Sequence, residues 1–263
     1  MPVMLDVLIP GLLTGISVGL SAGYLGSLMV LKRMSLVGDA LSHVALPGLA
    51  LGILLNFNPF IGAFTFLFGS AVIIWRLERI TKLSFETIVG AIFTLALAIG
   101  ILIIPEVDLL EALFGNIASV TVTDAITAII VSAIAIFLTR IVYSKFVMGM
   151  ISEDLAISAG INIARINLMY LLLVSLTVAA GIKIVGSLLV GFLVVVPAAT
   201  AKTLSPNLLR YSILSSFFGA VSGTSGVLLS NFTGLPTGPL VVVSGVTVFV
   251  AVALIRWTTK YTP

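Results

Sequence analysis

Nine apolar stretches, each close to the roughly 20 residues that span a bilayer core as a helix, decide what this chain can fold into. Breaking the sequence at its charges, prolines and polar clusters puts them at about Val7 to Leu31, Ser35 to Leu55, Pro59 to Trp75, Phe85 to Ile104, Thr123 to Tyr143, Ile166 to Gly181, Ile184 to Ala201, Leu208 to Asn231 and Gly238 to Trp257. In lipid a backbone must pair its own N–H and C=O groups, so runs of this length and composition predict helices. The chain reads as an all-α polytopic membrane bundle of about nine spans, eight being the alternative count, in a single transmembrane domain over residues 1–263. Only 9% of its residues are charged, against about 25% in soluble domains, which excludes an ordinary soluble fold. Cysteine is absent, so a disulfide framework and a thiolate metal site are both excluded.

Charge then predicts orientation. With the N-terminus outside and nine crossings, the cytoplasmic segments carry Lys32, Arg33, Arg76, Arg79, Lys82, Arg140, Lys145, Arg165, Lys202, Arg210, Arg256 and Lys260. Lys183 alone falls outside, a distribution that obeys the positive-inside rule and leaves the C-terminus cytoplasmic. Asp6, Glu106, Asp108, Glu111 and Asp124 fall on the external side, where they either meet an incoming cation or simply solvate loops. Basic residues are scattered rather than gathered into a patch, so the net charge of +3 does not point to nucleic acid. The opening MPVMLDV has no basic residue before its apolar run, and that run exceeds a signal-peptide core, so the first helix is expected to be retained.

Two ionisable residues lie inside the second run, in KRMSLVGDALSHVALPG from Lys32 to Gly48. Asp39 and His43, the chain's only histidine, are four residues apart and share one face of a helix. A carboxylate and an imidazole aimed at one place form half of a site for a transition metal. Pro47 adds to this, since a proline inside a helix frees the carbonyl four residues back, here that of His43. Two readings remain open from spacing alone: a cation pathway, or a carboxylate that caps or orients a histidine satisfied by neighbouring helices. Pro197 by the same logic frees the carbonyl of Leu193, making either a polar spot in a pathway or a plain kink.

Elsewhere, Gly11, Gly15, Gly19 and Gly23 recur every four residues and predict a groove for close helix approach, with a similar run at Gly219, Ser222, Gly223 and Gly226. ISEDLAISAGINIAR, within the longest cytoplasmic segment, predicts a short helix near 152–161: Ser152 as N-cap, Glu153 and Asp154 in the first turn, Gly160 just past the end. A helix so short is not stable alone and needs either this protein's loops or a partner. No G-x-x-x-x-G-K-[ST] occurs and no serine–histidine–acid set is credible, so the chain is not read as an enzyme. Any ATP that drives it is hydrolysed on another subunit.

Three of these stretches resemble the permease subunits of ATP-binding cassette importers for zinc, manganese or iron, the ABC-3 family. They are GDALSHVALPG from Gly38, GSLLVGFLVVVPAATA from Gly186 and LPTGPLVV from Leu235. The resemblance implies that Asp39 and His43 line the cation path and that the helix carrying Ser152, Glu153, Asp154, Leu155 and Gly160 couples to an ATPase. It implies as partners a second permease copy, identical or paralogous, a cytoplasmic ATPase dimer and an extracellular or periplasmic metal-binding protein, in the plasma membrane of a bacterium or archaeon. No covalently bound cofactor is implied; the divalent ion is cargo and ATP binds only the partner. Members often carry an aspartate before that Leu-Pro, where this chain has Gly234, so the turn receives no metal role. A two-fold axis would join two carboxylates to two imidazoles, and since His43 must be neutral to bind, acid should weaken the site. Two other classes fit less of the sequence. A proton-coupled secondary metal carrier would use the pair as a relay, yet no internal repeat is seen. A permease for metal chelates needs a wide chamber and gives no reason for a buried acid and imidazole.

Overall fold

The computed structural model describes residues 2–81, 83–104, 106–187 and 189–261, the side chains of 2–6, 36, 106–109 and 259–261 excepted. Lys82 and the carboxylates of Asp6, Glu106 and Asp108 therefore lie outside the described residues. Among these residues the chain is helical throughout: α1 Pro2–Leu31, α2 Ser35–Val44, α3 Leu46–Leu54, α4 Pro59–Ile80, α5 Phe85–Ile103, α6 Glu106–Phe114, a 3₁₀ turn Ile117–Ser119, α7 Val122–Ile151, α8 Glu153–Ser158, α9 Ile163–Val185, α10 Val190–Leu204, α11 Leu208–Thr233 and α12 Thr237–Tyr261. Among the described residues eight stretches are long and apolar enough to cross a bilayer, α2 and α3 together forming one of them.

The seventh expected span differs from the observed one. Gly186 and Ser187 do not continue the helix that ends at Val185, and α10 begins only at Val190. Gly186 takes φ +81°, and Ser187 bonds the Ala112 carbonyl through both its N–H and its hydroxyl, at 2.9 and 3.0 Å. Those contacts tie the chain to the end of α6 and postpone the helix. α10 is consequently short, but it still runs from the end of the molecule holding Lys183 and Asp124 to the end where the Tyr143 hydroxyl meets the Leu208 carbonyl. Pro197 sits in its interior.

Among the described residues polar side chains start six of the twelve α-helices. The side chains of Asn58, Ser84, Ser152, Asn162 and Asn207 each accept a backbone N–H from the first turn that follows, and Thr121 with Asp124 forms a capping box. Each such cap contributes about 1 kcal/mol where the first N–H groups have no helical partner.

α1 runs through the middle, touching α7, α9, α10 and α11. The glycine ladders explain its closest crossing. A Cβ on Gly15 would press on the Gly223 carbonyl, one on Gly19 on the Gly219 carbonyl, and one on Gly23 on the Ser215 carbonyl, so backbone lies on backbone between α1 and α11. Apolar burial drives helix association only weakly in lipid, so such approach and interhelical hydrogen bonds carry the packing. Ser27 meets Ser212 at 3.0 Å, Ser212 reaches the Tyr143 hydroxyl at 2.8 Å, Ser21 reaches Ser132 at 3.1 Å, and the Tyr170 hydroxyl donates to the Leu25 carbonyl at 2.9 Å. Each is worth on average about 0.6 kcal/mol. α5 and α12 stay largely exposed at the periphery, while α2 lies between α5 and α10.

Candidate metal pathway site

The helix that carries Asp39 and His43 is short and separately held. It begins after a turn at Lys32 to Met34, where Arg33 adopts φ +61°, and it stops at Ala45. The expected span from Ser35 to Leu55 is thus one crossing built from two helices. Pro47 occupies the first turn of α3, where a missing N–H breaks no helical bond, and the N–H of Ala45 turns to the His43 carbonyl. The expectation of a proline within one continuous helix is corrected accordingly: the break falls ahead of the proline.

Three other backbones clamp this broken helix. A Cβ on Gly191 of α10 would lie 2.5 Å from the Asp39 Cα, and one on Gly100 of α5 would lie 2.7 Å from the Leu46 Cβ. Gly48 and Gly62 bring α3 and α4 together in the same way. The Ser42 hydroxyl donates to the Asp39 carbonyl at 2.6 Å, so it is satisfied within α2.

The two ionisable side chains differ in environment. Asp39 is exposed, whereas His43 is only 7% exposed and its ring lies 5.2 Å from that of Phe93 on α5. Buried Nδ1 of His43 has no hydrogen-bond partner. A buried imidazole nitrogen without a partner is costly, and it leaves a lone pair or a proton unsatisfied within the chain. Among the described residues no three histidine, aspartate or glutamate side chains gather within one chain. One copy therefore brings one carboxylate and one imidazole, short of the four to six donors that transition metals take.

The sequence pattern of the ABC 3 transport family matches residues 4–256. The chain belongs to that family. It is similar to the manganese transport system membrane protein MntC of Listeria monocytogenes, 34% identical over 242 residues, which are 90% of this chain and 86% of that one. The high-affinity zinc uptake system membrane protein ZnuB of Haemophilus influenzae is 33% identical over 257 residues, 94% of this chain and 97% of that one. The solved structure of PsaBC from Streptococcus pneumoniae in complex with Fab matches with a TM-score of 0.83 at 31% identity, over 94% of this chain and 90% of that one.

The residues expected to meet an ATPase lie on a separate element. Ser152 caps α8, its hydroxyl taking the Leu155 N–H at 3.3 Å; Glu153 and Asp154 fill the first turn, and Gly160 follows the helix at φ +75°. Leu155 and Ile157 on α8 are 61% and 63% exposed. Gly234 caps α11 in a left-handed conformation, its N–H on the Ser230 carbonyl, a place where a glycine is the easiest residue to accommodate. At the opposite end from α8, Asp124 is no free acid: its carboxylate takes the Lys183 ammonium at 2.6 Å and the Thr121 N–H at 2.8 Å. A cavity of about 290 Å³ lies there, walled by Thr14, Leu49, Ile53, Glu111, Asp124 and Lys183 among others, and neither Asp39 nor His43 lines it. Sequence reasoning missed Phe93, Gly100 and Gly191. Only Gly191 left a trace, as the one glycine inside the bulky run LVGFLVVV.

Proposed function

We propose that this protein is the membrane permease subunit of an ATP-binding cassette importer for divalent metal ions, zinc or manganese, with Asp39 and His43 as the side chains that hold the cargo in transit. The observation that carries the reading is the pair itself: an exposed carboxylate and a buried imidazole with an unpartnered nitrogen, on one separately clamped helix at membrane depth. Membership of the ABC 3 transport family, with relatives named for manganese and zinc uptake, supports the cargo class.

Carboxylate oxygen with imidazole nitrogen suits both ions, and the fit of the pathway rather than raw affinity would select between them. Since one chain brings a single such pair, two copies facing one another across a two-fold axis complete the set, with two oxygens and two nitrogens. The cargo then passes between copies. In this reading the N-terminus is outside and the C-terminus cytoplasmic, in the plasma membrane of a bacterium. A binding protein delivers the ion from outside, and a separate ATPase pair seats α8, whose exposed Leu155 and Ile157 supply an apolar contact. This chain hydrolyses nothing; it binds the ion briefly and moves it.

The test is metal uptake into liposomes by the assembled importer. Asp39→Ala combined with His43→Ala should lower uptake of zinc or manganese by at least about tenfold with assembly intact. Uptake at the wild-type rate would remove the pair from the pathway.

A further inference from the structure

We propose that Lys32 is a positioning residue for transport, tying the ATPase-facing segment around α8 to the start of α2 and thereby to the metal pair. The proposal rests on the import reading above and deepens it by naming the connection between the two ends of the device.

Lys32 belongs to the α1–α2 turn, but its side chain leaves that turn. It enters a recess of about 30 Å³ whose other walls come from the end of α7, from α8 and from the start of α9, among them Phe146, Met150, Glu153, Ile166 and Asn167. The ammonium donates to Asn167 Oδ1 at 2.9 Å and stands 5.2 Å from the centre of the Phe146 ring. Three carboxylates act on it through their charge, first Glu78 near the end of α4, then Glu153, the first residue of α8, then Glu86 at the start of α5. Burial pulls the ammonium below the ordinary lysine value, and those three carboxylates oppose the pull.

The linkage is adjustable at one end and stiff at the other. No carboxylate forms a close ion pair with Lys32 among the described residues. One hydrogen bond, one cation–π contact and a surrounding field hold it, so its remaining donors can exchange partners as α8 shifts. The turn behind it is rigid: Lys32 N–H bonds the Leu28 carbonyl at 3.0 Å, Arg33 that of Val30 at 3.3 Å and Met34 that of Met29 at 3.0 Å. Displacing Lys32 therefore displaces the start of α2, and the break at Ala45 lets that ten-residue helix move apart from α3. Asp39 lies about one helical turn along it.

The experiment uses the complete importer in liposomes with radioactive zinc or manganese, and counts metal moved per ATP hydrolysed. Lys32→Met should keep assembly, thermal melting and ATP hydrolysis while the metal-to-ATP ratio falls about fivefold or more. Asn167→Leu should lower the ratio in the same direction, and Lys32→Arg, which keeps a cation and a donor, should stay within about twofold of wild type. A ratio unchanged in Lys32→Met overturns the proposal. So does equal loss in Lys32→Met and Lys32→Arg, which would mark plain packing, or a failure of Lys32→Met to assemble combined with a normal ratio in Asn167→Leu. A wild-type importer that moves neither metal overturns the import reading itself, a result separate from any effect at Lys32.

Discussion

His43 carries an unsatisfied polar atom in the interior. Its ring is buried against Phe93 while Nδ1 bonds nothing within the chain, an arrangement that a structural histidine avoids. Binding requires the neutral ring, so protons compete with the cargo. Metal affinity of the assembled importer should fall on acidification, by up to about tenfold per pH unit if one imidazole binds and about a hundredfold if two do. Equilibrium metal binding across pH measures that slope, and a pH-independent affinity would exclude His43 as a ligand. Gly191 gives a second prediction at this scale. Its Ala variant places a Cβ on the Asp39 backbone, so Gly191→Ala should weaken metal binding while the protein still melts as an intact fold.

The helices divide into those held by their own backbones and those held by caps. α1 and α11 meet at Gly15, Gly19, Gly219 and Gly223, where no side chain fits between them. Gly19→Leu should cost about 1–3 kcal/mol through overpacking, visible as a lower melting temperature in detergent; a variant as stable as wild type would disprove the crossing. α8 depends on Ser152 instead. Ser152→Ala removes the cap and should raise hydrogen exchange across 153–158, at a cost near 1 kcal/mol, with the membrane helices unaffected. The two helix ends differ because a six-residue helix outside the membrane has little buried surface to hold it.

For the whole molecule the prediction concerns stoichiometry. Among the described residues no third acidic or imidazole ligand joins the pair, so two chains should bind one metal ion, and calorimetry on the assembled importer should find about half an ion per permease chain. A full ion per isolated chain would contradict the shared site. A mixed importer with Asp39→Ala in one copy should lose most of its metal affinity, because the remaining three donors no longer complete the shell.

Several of these features could be read from the chain alone. The apolar runs marked the membrane helices because hydrophobicity is carried residue by residue, and the spacing of Asp39 and His43 put them on one helix face because the helical period is local. The cap at Ser152 and the glycine ladder were likewise legible, being patterns within a few residues. Other features depended on residues far away in sequence. The late start of α10 follows from Ser187 finding Ala112, the register of Asp39 from Gly191, the ring beside His43 from Phe93, and the seat of Lys32 from Asn167. Local chemistry chose the elements and their ionisable pair; which helix lay against which, and so what each side chain faced, was decided only when distant segments packed, because those contacts have no period along the chain.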